Sequence, residues 1–168
     1  CFPGGIMIIN RNQLLTMAPI KDMVPQKVKQ NGVSFGLGEA GYDIRIKQGV
    51  TFDNRQGRHL VFCDGRVTDG HFSLASAIEE FQMPTNLVGI VHDKSTWARQ
   101  ALSVFNTVIE PGWCGFLTLE LAYHGNGLLE IPAGVGIAQV VFHQTAEHAQ
   151  YEGKYQHQED KPQEAKFQ

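Results

Sequence analysis

The chain has 168 residues, of which 42 % are hydrophobic and 18 % charged, with 18 glycines; this fits one folded, turn-rich domain rather than a disordered chain. Fourteen Lys and Arg against 17 Asp and Glu leave a net charge of −3, which speaks against a sequence-independent nucleic-acid binder, because such proteins need a basic face for phosphates. No apolar run approaches the ~20 residues that span a membrane, and the scattered Cys1, Cys63 and Cys114 have neither the spacing of a structural zinc site nor the number of a disulfide framework.

Residues 1–6 read as a vector-derived scar or an upstream start, since Met7 opens Met-Ile-Ile-Asn like a native beginning. They lack the charged and apolar regions of a signal peptide, so a cytoplasmic protein is expected. Asn10 to Leu15 suits a short helix capped by Asn10. Tyr42-Asp43-Ile44-Arg45-Ile46 alternates polar and apolar like a half-buried strand, continued after a turn by Gly49 to Phe52. Asn54 to Gly57 and Asp64-Gly65-Arg66 have hairpin-turn chemistry. Ser76 to Phe81 fits either a short helix or a strand, and Leu87 to Val91 fits a strand. Asp93 to Leu102 predicts a helix.

Strands resume at Ser103 to Phe105, Phe116 to Tyr123, Leu128 to Ile131 and Gly136 to Phe142. Gly125-Asn126-Gly127 and Pro132-Ala133-Gly134 are the turns between the last three. Short strands with Gly/Pro turns every 8–12 residues indicate an all-β sandwich or barrel with a few short helices. From His143 onward the apolar pattern fades, which describes a mobile arm or one that orders over a ligand or a neighbouring subunit.

Three places carry candidate chemistry. Lys94-Ser95-Thr96 with Arg99 puts an ammonium, two hydroxyls and a guanidinium near a helix start, which suits an anion and equally suits a capped surface helix. Glu120 sits in Leu117-Thr118-Leu119-Glu120-Leu121, where alternation puts Thr118 and Glu120 on the face opposite the leucines. There it meets either solvent or a cleft; in a cleft its pKa would rise and it could shuttle protons. Glu110 opens the turn signature Glu110-Pro111-Gly112-Trp113. The seven histidines have no metal-binding spacing.

Six segments, in order from Tyr42 to Gln158, together resemble the dCTP deaminase branch of the dUTPase-like superfamily. They are Gly41 to Ile46, Pro84 to Arg99, Ile109 to Gly115, Thr118-Leu119-Glu120, Pro132 to Gln139, and Gly153-Lys154-Tyr155-Gln156-His157-Gln158. The resemblance implies a distorted jelly-roll-like β-barrel or sandwich of the dUTPase-like type. It implies a catalytic domain over residues 7–150, an arm over 151–168 that closes on the nucleotide, and a homotrimer with sites between subunits. It assigns hydrolytic deamination of dCTP to dUTP and ammonia, with Mg²⁺ bound through the triphosphate. Glu120 becomes the base and proton shuttle, with Ser95 and Arg99 positioning water and that carboxylate. Lys94, Ser95 and Thr96 hold phosphate oxygens, Glu110 and Gln139 lie near the deoxyribose, and Thr107 belongs to the loop that reads the base. Tyr151, Lys154 and Gln158 come from the arm. Zinc is not expected, because the His-x-Glu and Cys-x-x-Cys signature of zinc deaminases does not occur.

Glu110 stands where this branch usually has Asp, and the run from Arg99 to Glu110 is shortened. The first departure weakens the expectation of diphosphatase activity, because a longer side chain displaces the carboxylate. The second leaves base identity and phosphate number open. The arm stands in place of the Gly-rich phosphate loop of trimeric dUTPases, which favours deamination. A bifunctional enzyme forming dUMP, a dUTPase, and a non-catalytic nucleotide-binding regulator remain the alternatives.

Overall fold

Frequent Val, Ile, Phe and Leu, cut by Gly, Pro, Asn and Asp, break the chain into short extended segments. The computed structural model describes residues 7–105 and 107–167, so the expectation for residues 1–6 lies outside the described residues. In chain order the first strands are β1 (Ile8–Ile9), β2 (Lys27–Gln30), β3 (Val33–Leu37), β4 (Tyr42–Arg45), β5 (Val50–Asp53), β6 (Leu60–Cys63) and β7 (Arg66–Asp69). Then come β8 (Phe72–Gln82), β9 (Leu87–Asp93), β10 (Leu102–Val104), β11 (Val108–Ile109), β12 (Cys114–Tyr123), β13 (Leu128–Ile131) and β14 (Gly136–Gln144). The largest sheet runs β11-β9-β14-β4-β3-β2, with β1 also on β14; the others run β10-β12-β8 and β13-β5-β6-β7. They form an open sandwich around one core, not a closed barrel. Tyr42 and Phe142, Phe81 and Leu119, and Phe52 bring all three sheets into that core.

The seam between the largest sheet and the three-stranded sheet is polar. Glu79 on β8 is 4 % exposed, and its carboxylate accepts the Arg45 backbone N–H and Nε, both at 2.8 Å. The Arg45 guanidinium lies 4.5 Å from the Phe35 ring centroid. Burial pushes the Glu79 carboxyl up in pKa, and the bonds from Arg45 oppose that shift. Beside the pair, the Lys47 N–H donates to Ser76 O at 2.8 Å.

Several expectations are met in altered form. Ser76 to Phe81 lies within the long strand β8. Asp64 and Gly65 both take positive φ, 50° and 72°, and turn β6 into β7. Helix α1 (Arg11–Met17) starts after Asn10, but the Asn10 amide does not cap it; Nδ2 donates instead to Glu39 O at 2.7 Å. The helix expected over Asp93 to Leu102 is only α2 (Ser95–Ala98). Asp93 stays in β9 and its Oδ1 accepts the Val104 N–H at 2.7 Å, while Ala101 takes φ 63°. This bond and the left-handed turn at Ala101 return the chain to a strand before a second helical turn forms. Asp43 is buried, not on a wet face, because β4 lies between β3 and β14. No helix among the described residues is long and apolar enough to cross a membrane.

Leu119 points into the core with 1 % exposure. Leu119→Ala is expected to lower unfolding free energy by about 3 kcal/mol, read from urea denaturation, because the cavity left in a close-packed core collapses only partly.

Candidate active site

Strand β12 builds the site by alternation. Leu117, Leu119 and Leu121 face the core, and Thr118 and Glu120 face the other way. Glu120 pairs across the sheet with Leu74, and its carbonyl accepts the Phe105 N–H at 2.8 Å. The cleft alternative for Glu120 is the one observed: its side chain lines a cavity of about 440 Å³. Phe72, Leu74 and Trp113 supply apolar walls. Thr107 and Glu110 approach from the segment before β12. Burial beside those apolar walls pushes the Glu120 carboxyl up in pKa.

The remaining wall is the C-terminal arm. It folds back on its own chain, which its composition alone did not decide. Phe116 N–H donates to Gln158 O at 3.1 Å, His157 N–H to Cys114 O at 2.9 Å, and Trp113 Nε1 to Tyr155 O at 2.7 Å. Farther on, the Gln163 N–H donates to Thr118 Oγ1 at 3.0 Å. Gly115 makes this approach possible: its φ is 136°, and a Cβ there would stand 2.6 Å from Gln158 N. Tyr151, Tyr155, Gln158, Gln163 and Glu164 thereby reach the cavity.

Of the residues expected at the site, Thr107, Glu110, Glu120, Tyr151 and Gln158 line this cavity, whereas Lys94, Ser95, Thr96, Arg99, Gln139 and Lys154 do not. Ser95, Thr96 and Arg99 are exposed around α2. That helix is a single turn, so it offers no helix-end anion site of the kind the expected longer helix would have. Lys94 is committed elsewhere: Nζ donates to Asp43 Oδ2 at 2.6 Å and to Ser34 Oγ at 3.0 Å, and its side chain is only 11 % exposed. Gln139 Nε2 reaches the other Asp43 oxygen at 3.4 Å. Lys154 is exposed, with Nζ 5.3 Å from the Tyr155 ring centroid. Sequence reasoning missed Asp43 as the partner of Lys94, and it missed the walls Phe72, Leu74 and Trp113. Strand alternation had already put Thr118 beside Glu120.

A half-buried carboxylate of raised pKa in an apolar cavity of this size is equipped to take and return a proton on a bound small molecule. Among the described residues no three His, Cys, Asp or Glu gather as a metal-ligand group. Phe72, one of the cavity walls, is 46 % exposed, and its ring centroid lies 6.1 Å from that of Phe105, which is 53 % exposed.

A family model described as dCTP deaminase-like matches residues 11–145. The dCTP deaminase of Roseiflexus castenholzii is 32 % identical over 160 residues, covering 83 % of this chain and 86 % of that protein. The dCTP deaminase of Campylobacter concisus is 35 % identical over 161 residues, covering 83 % and 87 %. Among solved structures, the 2′-deoxycytidine 5′-triphosphate deaminase of Agrobacterium tumefaciens superposes with a TM-score of 0.60 at 14 % identity, over 83 % of this chain and 48 % of that one. EIAV dUTPase superposes with a TM-score of 0.51 at 17 % identity, over 77 % and 91 %. Both similarities show the fold.

Asp43→Ala would leave the Lys94 ammonium enclosed without its counter-charge. It is expected to cost about 3 kcal/mol of stability in urea titration, and a loss near zero would refute the pairing. For Glu120, carbon-13 carboxyl NMR against Glu120→Gln should give a midpoint above the ordinary glutamate range. The folded chain then holds this proton more tightly than the unfolded chain. The contribution to stability is present at acid pH and lost as pH rises through the folded midpoint.

Proposed function

The chain belongs to the dCTP deaminase-like family, and from that membership we propose that it is an enzyme that hydrolyses dCTP to dUTP and ammonia. The observation that carries this reading is Glu120, a carboxylate of raised pKa on an apolar cavity of nucleoside size. Glu120 takes a proton from water as the water oxygen attacks C4 of cytosine. The first proton passes to N3; Glu120 then carries the proton of the new C4 hydroxyl to the C4 amino group, which leaves as ammonia as the C4 carbonyl forms. No zinc is needed for this step. Burial suits the task, because raising the carboxyl pKa makes the glutamate a better proton acceptor that can still return the proton.

Ser95 and Arg99 position the water and the glutamate, and Lys94 and Thr96 hold phosphate oxygens. In one chain these residues stand around α2, outside the cavity of Glu120. We therefore place the site between subunits of a homotrimer, each cavity completed by the α2 segment of a neighbour. The exposed pair Phe72 and Phe105 supports this reading, as apolar surface that a neighbouring subunit would cover. Lys94 reaches a phosphate only with its remaining N–H, because Asp43 and Ser34 already occupy two of its three. Glu110 lies in the cavity, where it can meet the deoxyribose, with Thr107 at the base edge. Gln139 is drawn toward Asp43 and contributes from the α2 side. The arm over 151–168 closes on the triphosphate through Tyr151, Lys154 and Gln158.

The cofactor is Mg²⁺ carried by the triphosphate. The oxygen donors of Glu110, Tyr151 and Gln158 suit the water shell of a hard dication better than a soft metal. When bound, the ion neutralises phosphate charge. The partner is a small deoxynucleotide, and the reaction belongs to pyrimidine deoxynucleotide metabolism in the cytoplasm. A second reading, release of pyrophosphate to give dUMP, draws on Glu110 sharing the cavity with Glu120.

Glu120→Gln should lower ammonia release by about a thousandfold while nucleotide binding is largely kept. Full activity in that variant would end the mechanism. A panel of dCTP, dCDP, dCMP, dUTP and CTP, with products identified by chromatography, should show dUTP from dCTP. Formation of dUMP supports the second reading, turnover of dUTP alone means a dUTPase, and binding with no turnover means a regulator.

A further inference from the structure

The arm holds a second basic residue beyond the Gly-Lys-Tyr-Gln segment. Lys154 and Lys166 are twelve positions apart, yet their ammonium nitrogens lie 5.3 and 5.7 Å from the centroid of the same Tyr155 ring. The two lysines bind each other's backbone: Lys154 Nζ donates to Lys166 O, and Lys166 Nζ donates to Lys154 O at 3.1 Å. The Lys166 N–H donates to the Tyr155 hydroxyl at 3.1 Å. The ring is thus clasped by both lysines and tied to the main chain of one. Tyr155 lines the cavity of Glu120, as do Glu164 and Ala165, which lead into Lys166. The clasp therefore sits on the arm's side of that cavity.

Two ammonium groups on one ring repel each other. Neither lysine belongs to an ion pair among the described residues, and the nearby arm carboxylate Glu159 is paired with Lys161. A ring face and a carbonyl satisfy part of each ammonium, but neither carries a full negative charge. A polyphosphate does, and it could accept from both at once, turning repulsion into shared attraction. A single phosphate presents less charge and a shorter reach. We propose that Lys166 is a phosphate-binding residue that, with Lys154, clamps the polyphosphate of a nucleotide whose base lies in the Glu120 cavity. This inference rests on reading that cavity as the nucleotide site.

The test is calorimetric titration of the full chain, in magnesium buffer, with inorganic tripolyphosphate and separately with inorganic phosphate. Lys166→Ala should weaken tripolyphosphate binding about tenfold and change phosphate binding far less. Lys166→Arg should recover the affinity. Lys161→Ala, on the same arm but ion-paired to Glu159, should bind like the unaltered protein. Unchanged tripolyphosphate affinity in Lys166→Ala overturns the clamp, as does an equal loss in Lys161→Ala, or an unaltered protein that prefers phosphate. Ammonia release from dCTP by the unaltered protein reports separately on the enzyme reading. Tripolyphosphate binding that depends on Lys166 without any deamination would keep the clamp and remove the enzyme. Deamination with no dependence on Lys166 would do the reverse.

Discussion

The period of two along β12 governs the rest of this structure. Alternation sends Leu117, Leu119 and Leu121 into the core, and this fixes which way Thr118 and Glu120 must point. A register slip of one residue would bury Glu120 among leucines and expose them, so the core itself guarantees the orientation of the carboxylate. The same strand is hydrogen-bonded to β8 and β10, which bring Phe72, Leu74 and Phe105 around the open face. Apolar walls then raise the glutamate pKa without any neighbouring charge. Packing and acid–base character thus have one cause.

The cavity is finished by a segment that brings little core of its own. His157 and Gln158 pair with β12 through main-chain bonds, Gln163 N–H reaches the Thr118 hydroxyl, and Gly115 is where the arm's backbone comes close. That arrangement ties ordering of the arm to an intact β12. The Lys94, Asp43 and Gln139 group is built on different elements, β4, β14 and the corner between β9 and α2. Its charges are enclosed and paired, whereas the arm is held by hydrogen bonds to Trp113, Cys114, Phe116 and Thr118.

Much of this was legible in the sequence. Strands β4, β5, β9, β10, β12, β13 and β14 followed from alternation and turn chemistry, and the Asp64-Gly65 hairpin turn from its residues alone, whereas β1, β2, β3 and β11 were not read as strands. The two faces of β12 were also readable, because period two is local. What failed was non-local. The helix expected after Asp93 stops early because Asp93 bonds Val104, eleven residues on, and no propensity contains that contact. Burial of Asp43 required knowing that β4 has neighbours on both sides. The choice between a mobile and a docked arm depended on Gly115 and Trp113, more than forty residues upstream. Motif order grouped Lys94, Ser95 and Arg99 with Glu120, and the folded chain leaves those three outside the cavity that Glu120 lines.

The two outer strands of the largest sheet bear on how the folded protein behaves in a crowded solution. Unpaired strand edges are templates on which other chains can add and grow into fibrils. One edge here is β11, only two residues long, too short to seed a ladder. The other, β2, reads Lys-Val-Lys-Gln and keeps Lys27 and Lys29 exposed. An incoming strand would have to bring its own backbone against two ammonium groups with little apolar surface in return. The largest sheet of a chain that is 42 % hydrophobic thereby carries its own guard against edge-to-edge aggregation.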